Sequence, residues 1–221
     1  MQQIIETTED GSHTLYVPEL GEHYHSTHGA IQESRHVYIE AGLHRCPKAG
    51  VNLLEIGFGT GLNAFLTLLD TPNSCRSVRY TAIERYPLSP DNAARLNYPQ
   101  LLASGDGETF LRLHSSPWEE WQEITPSFPL KKRRMDATHL EDLHPDSLFD
   151  VIYYDAFAPE KQPSLWTQEI FNTLYALSNN GAILTTYCAK GVVRRMLQAA
   201  GYRVERLPGP PGKREILRAV K

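Results

Sequence analysis

The sequence predicts an α/β fold with a doubly wound, mostly parallel sheet. From Val51 onward, short aliphatic runs alternate with helical segments, and the run at residues 51–56 ends abruptly in three glycines at alternate positions. Buried strands of parallel sheets have this apolar character, and ligands bind at their carboxyl ends. Near the C-terminus, strands predicted at residues 202–207 and 214–220 flank a turn rich in proline and glycine, so the last strand should run antiparallel to the others.

The sheet is predicted to contain seven strands. The other five lie at residues 51–56, 78–84, 128–135, 148–154 and 182–187. Helices are predicted at residues 62–69, from Ser89, at 165–177 and at 192–200, and Asn179, Asn180 and Gly181 provide a C-cap for the third of them. Residues 97–125 should be helical but irregular, because Pro117, Trp118 and Trp121 interrupt them.

Residues 1–48 are predicted to form an N-terminal extension that packs on the main domain, residues 49–221. Residues 4–7 and 14–17 have the pattern of a β-hairpin, residues 18–29 that of a loop, and residues 30–43 that of an irregularly amphipathic helix. So short a segment cannot enclose a core of its own, so it should share that of the main domain.

Composition favours a cytoplasmic protein. Of the 221 residues, 41% are hydrophobic and 22% charged, which is ordinary for a soluble globular chain. No apolar run is long enough to span a bilayer, and the acidic N-terminus lacks the features of a signal peptide. Three widely spaced cysteines, Cys46, Cys75 and Cys188, indicate reduced thiols and no zinc-site spacing.

The net charge of −4 hides an asymmetry along the chain. From Cys188 to Lys221 there are nine basic and two acidic residues, so this segment carries +7 and the remainder −11. A basic segment on an acidic body suggests a polyanionic partner. The alternative is that these side chains only form the solvated faces of a helix and two strands.

Four carboxylates lie at or near predicted strand ends, and they indicate the kind of ligand. Glu55, Glu84, Asp136 and Asp155 would repel one another in one crevice unless a cationic or hydroxyl-rich ligand balanced them. S-adenosyl-L-methionine offers a sulfonium, an ammonium and a ribose diol, whereas NAD brings a pyrophosphate. A dinucleotide fingerprint also needs Gly or Ala where Leu62 stands. Together with the antiparallel last strand, this favours a class I methyltransferase fold.

The predicted donor site follows from this placement. Glu84 would accept hydrogen bonds from both ribose hydroxyls, and Asp136 with Ala137 would lie at the adenine edge. Glu55 is included in the donor site because it is the acid before the glycines. The alternatives are that Glu55 provides a charge that pairs with a helix and that Glu84 is only a surface acid. The amino-acid and ribose portion would be lined by Gly57, Phe58, Gly59, Thr60, Gly61 and the following Asn63.

Asp155 and Phe157 are the predicted catalytic residues, and Asp155 is also predicted to contact the donor. They lie at the end of the fourth strand, where a methyl acceptor would meet the donor. An alkylamine must be neutral to present its lone pair, and only about one part in a thousand is neutral at pH 7. Asp155 could orient the amine and receive its proton, while Phe157 excludes water. The alternative is that Asp155 only caps the loop after it.

Two other clusters are interpreted without a ligand. His23, His25 and His28 form a histidine-rich loop, but no acid or cysteine stands at ligand spacing, so no metal is predicted. The basic run at residues 131–134 resembles a nuclear-import signal, but it falls in a predicted strand, one face of which should simply meet solvent.

Nearly the whole chain resembles the MnmC-type methyltransferase family. That family is the methyltransferase half of the bacterial enzyme that makes 5-methylaminomethyl-2-thiouridine at the tRNA wobble position. The resemblance rests on the glycine-rich motif at residues 55–63, Glu84-Arg85-Tyr86-Pro87, DAFAPEKQPSLWT at 155–167, VRRMLQAAGY at 193–202, Gly212-Lys213-Arg214-Glu215, Tyr24-His25-Ser26, and ESRHVY at 33–38.

The resemblance implies a class I fold, S-adenosyl-L-methionine as donor, and methylation of the aminomethyl group on the wobble uridine. The family's acceptor-side aspartate falls on Asp155. Gln162 stands where asparagine is usual, and Pro210 and Pro211 replace a more aromatic turn. A chain that ends at Lys221 would lack the FAD-dependent oxidase half, so we expect it to resemble the stand-alone version, with a separate oxidase or modification enzymes supplying the precursor. Predicted tRNA contacts are Tyr24, Arg35, Lys190, Arg194, Arg195, Lys213 and Arg214.

Two other functions remain open from the sequence. A small-molecule amine methyltransferase could use the same pocket, and the near-neutral isoelectric point of about 6.1 favours that reading slightly. A non-catalytic S-adenosyl-L-methionine-binding protein could keep the fold, although it would not need Asp155 beside an aromatic residue.

Overall fold

A computed structural model describes residues 2–102 and 107–221. None of the helices in this part of the chain is long and apolar enough to cross a lipid bilayer. The strands are β1 (Ile4–Thr7), β2 (His13–Val17), β3 (Glu22–His23), β4 (Gly50–Ile56), β5 (Ser77–Ile83), β6 (Trp121–Thr125), β7 (Phe128–Arg133), β8 (Phe149–Tyr154), β9 (Ser178–Thr186), β10 (Arg203–Pro208) and β11 (Glu215–Val220). The helices are α1 (Ala30–Ser34), α2 (Leu62–Ser74), α3 (Pro90–Ala93), α4 (Tyr98–Leu101), α5 (Gly107–Ser115), α6 (Gln168–Ala176) and α7 (Gly191–Ala200).

The central sheet confirms the predicted fold class and has one more strand than predicted. Its order is β10-β11-β9-β8-β4-β5-β7-β6. Strands β7, β5, β4, β8 and β9 pair in parallel, and β11 runs antiparallel to both of its neighbours. The chain goes from β4 outward to β5 and later returns to β8 on its other side. The topological switch point therefore lies between β4 and β8, where ligands bind in such sheets.

The extra strand, β6, corrects the prediction that residues 97–125 are helical. Helices α4 and α5 occupy part of this segment, and residues 103–106 lie outside the described part. Trp121–Thr125 instead pairs antiparallel with β7 at the edge of the sheet. Aromatic and β-branched residues such as Trp121, Ile124 and Thr125 suit an edge strand, and this propensity outweighs the helical reading.

The C-cap predicted at Asn179, Asn180 and Gly181 is also wrong. Helix α6 ends at Ala176, and the three residues belong to β9. The Gly181 N–H donates to the Lys221 carbonyl at 2.8 Å. The amide of Asn179 donates to Asp150 Oδ1 at 2.7 Å, so pairing across the sheet fixes this segment.

Two apolar clusters cover the faces of the sheet. In β4, Leu53 joins one cluster and Leu54 the other, as expected for a strand buried on both faces. The first cluster also contains Leu15 of β2 and Val37, which lies in the π-helical continuation of α1 (Arg35–Glu40). The N-terminal three-stranded sheet, β1-β2-β3, thus contributes to this core. The division into residues 1–48 and 49–221 stays a prediction.

Candidate active site

A cavity of about 440 Å³ lies at the carboxyl ends of β4, β5 and β8. This is the switch point of the sheet, and the N-terminal segment 22–27 closes one side of it. The cavity brings together Tyr24, Phe157 and Lys213 with most of the predicted donor-site residues: Gly57, Phe58, Gly59, Thr60, Asn63, Glu84, Asp136, Ala137 and Asp155.

Two glycines let the loop after β4 approach other groups closely. Gly57 has φ 91°, and a Cβ atom there would lie 2.5 Å from the Asp155 carbonyl oxygen. Gly59 has φ 49°, and a Cβ atom there would lie 2.9 Å from the Tyr24 ring. The loop therefore needs glycine both for its left-handed backbone and for space.

Two buried histidines contact Thr60 in the glycine loop. His25 Nε2 lies 2.7 Å from the Thr60 hydroxyl oxygen, and His114 Nε2 lies 3.0 Å from its carbonyl oxygen. Burial lowers the pKa of each histidine to about 4, so both rings are neutral near pH 7. A neutral ring can donate one hydrogen bond to the carbonyl without bringing charge into the loop.

Glu84 follows β5, and backbone donors hold its carboxylate. The Gly59 N–H donates to Oε2 at 3.0 Å, and the Tyr86 N–H donates to Oε1 at 2.7 Å. Each oxygen keeps a further lone pair for a hydroxyl donor in the cavity. This arrangement suits the predicted contact with a ribose diol.

Asp136 is paired across the mouth of the cavity. Its carboxylate accepts a hydrogen bond from the Arg85 guanidinium and another from the Thr138 N–H, the latter at 2.9 Å. Partial burial acts to raise the pKa of Asp136, but the hydrogen bonds from Thr138 and the Arg85 charge outweigh it and lower the pKa. Part of the predicted repulsion between acids is thus relieved by an arginine of the chain itself.

Asp155 follows β8 and sits in a hydrogen-bonded, largely desolvated environment. Tyr38 donates its hydroxyl to Oδ1 at 2.6 Å, and the Asn63 amide donates to Oδ2 at 2.8 Å. Burial raises the pKa of Asp155 to about 7, and nearby Glu33 adds to this, against the two hydrogen bonds and the Lys213 charge. Near neutral pH the carboxyl group can therefore gain or lose a proton easily.

Aromatic rings lie beside this carboxyl group. The Tyr24 and Phe157 rings meet edge to face with their centres 5.1 Å apart. Burial and nearby Glu84 raise the pKa of Tyr24 to about 12, so its hydroxyl stays protonated. Both rings line the same cavity as Asp155 and add apolar surface to it.

Glu55 and Gly61 are not among the described residues that line the cavity. Glu55 is fully buried beneath the glycine loop, and Gly61 precedes the first turn of α2. Burial, together with the Asp155 carboxyl, raises the pKa of Glu55 well above its usual range, which favours its neutral form. The described lining of the cavity thus holds three of the four predicted acids, Glu84, Asp136 and Asp155, and a role of Glu55 in donor binding stays a prediction.

The predicted tRNA-contacting residues are spread more widely. Lys213 lines the cavity, whereas Lys190 forms an ion pair with Glu160 of the loop at the cavity rim. Arg35 lines a separate groove with residues of the 209–211 turn. Arg194 and Arg195 lie on α7, and Arg214 is exposed just before β11. The structure thus places only Tyr24 and Lys213 of this set in the cavity.

The histidine loop and the basic run have other contacts. His23 pairs with Glu6 and His28 with Glu9, both at 3.0 Å. Across the described ranges, no group of three His, Cys, Asp or Glu side chains is arranged for a metal ion. In the basic run, Lys131 and Arg133 lie on the partly exposed face of β7, as predicted, whereas Lys132 on the other face is fully buried and donates to the His114 carbonyl at 2.6 Å. Burial lowers the pKa of this lysine to about 8.

Sequence reasoning missed several residues of the site. Tyr38 reaches Asp155 from a segment 117 residues away in the chain, and no local pattern predicts that contact. Tyr187 also lines the cavity and donates its hydroxyl to the Ala156 carbonyl at 2.8 Å. It directly follows β9, so the strand-end argument that located the acids could have found it.

Comparisons with known proteins agree with this geometry. A family model described as S-adenosyl-L-methionine-dependent methyltransferase matches residues 119–221. The chain is 30% identical over 98% of its length to the tRNA 5-methylaminomethyl-2-thiouridine biosynthesis bifunctional protein MnmC of Cupriavidus metallidurans. It is 33% identical over 94% of its length to the protein of the same name from Magnetococcus marinus. It spans 34% and 32% of these two relatives.

Solved structures show the same architecture. The crystal structure of MNMC2 from Aquifex aeolicus has a TM-score of 0.78 and 25% identity, with 99% of this chain and 70% of that chain covered. Spermidine synthase from Thermotoga maritima has a TM-score of 0.59 at 13% identity, which is a likeness of fold alone, with 100% of this chain and 72% of that one covered.

The sheet, the glycine loop and the acids at the strand ends define a class I S-adenosyl-L-methionine-dependent methyltransferase. The relatives and the fold neighbour confirm the predicted resemblance: over nearly its whole length the chain is similar to the MnmC-type methyltransferases. The residues present fit the donor, because Gly59 allows close approach to the backbone, and Glu84 and Asp155 offer acceptors and negative charge for a cationic, hydroxyl-bearing molecule.

Proposed function

We propose that this enzyme methylates the aminomethyl nitrogen of a modified wobble uridine in tRNA. The observation that carries the proposal is the Asp155 carboxyl group, which two neutral donors orient beside the aromatic pair Tyr24 and Phe157. An amine acceptor needs a group that can orient it and take its proton, and this carboxyl group can do both.

Bound S-adenosyl-L-methionine supplies a methyl carbon attached to a positively charged sulfur. Asp155 accepts a hydrogen bond from the acceptor amine on a lone pair that Tyr38 and Asn63 leave free. As the new nitrogen–carbon bond forms, the carbon–sulfur bond would break with its electron pair left on a neutral sulfur, and the nitrogen, now cationic, passes its proton to Asp155. Phe157 and Tyr24 keep water away, so the amine reaches the donor without its hydration shell.

Two observations support tRNA as the substrate. The relatives that align with nearly all of this chain carry tRNA 5-methylaminomethyl-2-thiouridine biosynthesis in their names. The segment from Cys188 to Lys221 carries a net +7, which can meet phosphates. We propose that Arg194, Arg195 and Arg214 make such contacts and that separate enzymes supply the aminomethyl precursor. The predicted cytoplasmic location would give this enzyme access to tRNA.

Asp155→Ala tests the proposal with a labelled methyl donor and bulk tRNA that carries unmethylated aminomethyluridine. We expect the unaltered enzyme to label nucleosides and the variant to lose at least about a hundredfold in rate, the usual contribution of an acid–base group. Calorimetry should show donor affinity within a few-fold of wild type. Loss of donor binding would mean that the main role of Asp155 is to hold the donor and not the acceptor, and label confined to small amines would contradict tRNA as the substrate.

A further inference from the structure

Lys213 occupies an unusual position for a basic residue of a nucleic-acid enzyme. It lies in the turn between β10 and β11, yet its side chain lines the cavity with Asp155. Its ammonium group is 2.9 Å from Glu33 Oε1 and lies 4.3 Å from the centre of the Tyr187 ring. A lysine that only met phosphates would be expected on the outer surface.

Glu33 sets the charge of this arrangement. Its side chain is 8% exposed, and its second oxygen accepts a hydrogen bond from the Ser26 N–H at 2.8 Å. A buried carboxylate paired with Lys213 brings the pair close to zero net charge. The pair therefore attracts a phosphate weakly, but it still presents an oriented N–H donor to a neutral acceptor.

The ammonium group has donor capacity left for a ligand. It carries three N–H bonds, and its contacts are the ion pair with Glu33 and the Tyr187 ring. Within residues 2–102 and 107–221, no other protein group accepts a hydrogen bond from the Lys213 ammonium. The remaining donor is free for a molecule in the cavity.

We propose that Lys213 recognises the acceptor base by donating a hydrogen bond to the carbonyl oxygen O4 of the pyrimidine. This inference rests on the proposed function, since it assumes a 5-aminomethyl pyrimidine as acceptor. O4 is attached to the ring carbon next to the one that bears the aminomethyl arm. A donor that fixes O4 therefore orients the arm toward Asp155, on the same cavity wall.

Lys213→Met tests the inference, and Lys48→Met is its matched control. Lys48 pairs with the nearly buried Asp150 at 2.6 Å, but at the opposite end of β8 from Asp155. Each variant therefore leaves one buried carboxylate without its lysine, and only one of them alters the cavity. Lys213→Met alone leaves the Glu33 carboxylate buried without a partner, which can destabilise the fold. Combining it with Glu33→Gln removes this charge, so the double variant separates loss of the lysine from loss of stability.

The measurements are kcat/KM for aminomethyl-bearing tRNA, donor affinity by calorimetry, and the salt dependence of tRNA binding. We expect Lys213→Met and the double variant to lose about tenfold or more in kcat/KM, the order of one lost hydrogen bond in a buried site. Donor affinity and the slope of log affinity against log salt should stay unchanged. Lys48→Met should remain within about twofold of wild type.

Two results would overturn the inference about Lys213 and leave the proposed function intact. If both Lys213 variants transferred methyl groups as fast as Lys48→Met, the lysine would have no role in acceptor recognition. If the salt slope fell by roughly one, Lys213 would be a phosphate contact. Absence of transfer by the unaltered enzyme would overturn the proposed function, and this inference with it.

Discussion

Asp155 combines two environments that act in opposite directions on its carboxyl group. Burial and the neighbouring Glu33 favour the neutral acid, whereas the hydrogen bonds from Tyr38 and Asn63 favour the carboxylate. The balance gives a pKa of about 7, compared with an ordinary value of 3.8. A group with this pKa can accept a proton from an amine and release it to solvent after product leaves.

This raised pKa predicts how Asp155→Asn changes stability with pH. In the unfolded chain the carboxyl group ionises near pH 3.8, but in the folded enzyme it stays protonated up to about pH 7. Its contribution to stability is therefore complete below pH 3.8 and is lost as pH rises through about 7. Asparagine does not titrate, so the Tm of the variant should rise relative to wild type between pH 4 and pH 8. A constant Tm difference across this range would contradict the assigned pKa.

At the residue scale, the acids of the site could be predicted and their partners could not. Glu84 and Asp155 directly follow apolar residues of predicted strands, and Asp136 comes just after the predicted strand at 128–135, so each marks the end of a parallel strand. Tyr38 comes from a distant segment, so its contact with Asp155 depends on tertiary packing. The raised pKa of Glu55 likewise follows from burial, which the sequence does not reveal.

The glycine loop is the element on which the donor site depends. Gly57→Ala should impair it, because the new Cβ atom would lie 2.5 Å from the Asp155 carbonyl oxygen at a φ of 91°. We expect donor affinity to fall by at least about tenfold and the free energy of unfolding to fall by more than 1 kcal/mol. Calorimetry and thermal denaturation measure the two effects.

Gly181→Ala is the matched control for this loop. Gly181 also has a positive φ, 77°, but a Cβ atom there would have open space within 4 Å. Only the backbone strain should remain, about 1 kcal/mol, and donor affinity should stay within about twofold. Equal loss of donor binding in both variants would mean that close approach at Gly57 is not the cause.

Among the elements, the buried parallel strands were the most predictable. The predicted limits of β4, β5, β8 and β11 differ from the observed ones by one residue at most. Strand β6 was missed because it is short, partly polar and paired on one side only. Residues 178–181 resemble a helix C-cap locally, but pairing with the C-terminal residue draws them into β9.

At the scale of the whole molecule, the two ends of the chain meet at the cavity. Glu33 of α1 pairs with Lys213 of the β10–β11 turn, and His36 Nε2 lies 2.8 Å from the Pro208 carbonyl oxygen. The N-terminal segment and the C-terminal hairpin therefore support each other around the acceptor side. The sequence predicted both segments but not their contact, because it depends on two turns far apart in the chain.

The basic helix α7 supplies a prediction about tRNA binding. Arg194→Ala combined with Arg195→Ala should weaken binding for all tRNA sequences and reduce its salt slope by roughly one for each lost phosphate contact. Arg203→Ala is a suitable control, since Arg203 is exposed on β10 and pairs with Glu205. Measuring tRNA affinity between low and moderate salt distinguishes the α7 double variant from this control. An unchanged slope in the double variant would exclude α7 from the tRNA surface.

The most direct measurement is nucleoside analysis of tRNA that contains 5-aminomethyl-2-thiouridine at the wobble position, before and after incubation with the enzyme and S-adenosyl-L-methionine. We predict that this nucleoside disappears and that a species heavier by one methyl group replaces it, with Asp155→Ala leaving it unchanged. If all of the unmethylated nucleoside were recovered after incubation with enzyme that binds the donor, this result would contradict the proposed methyl transfer to tRNA.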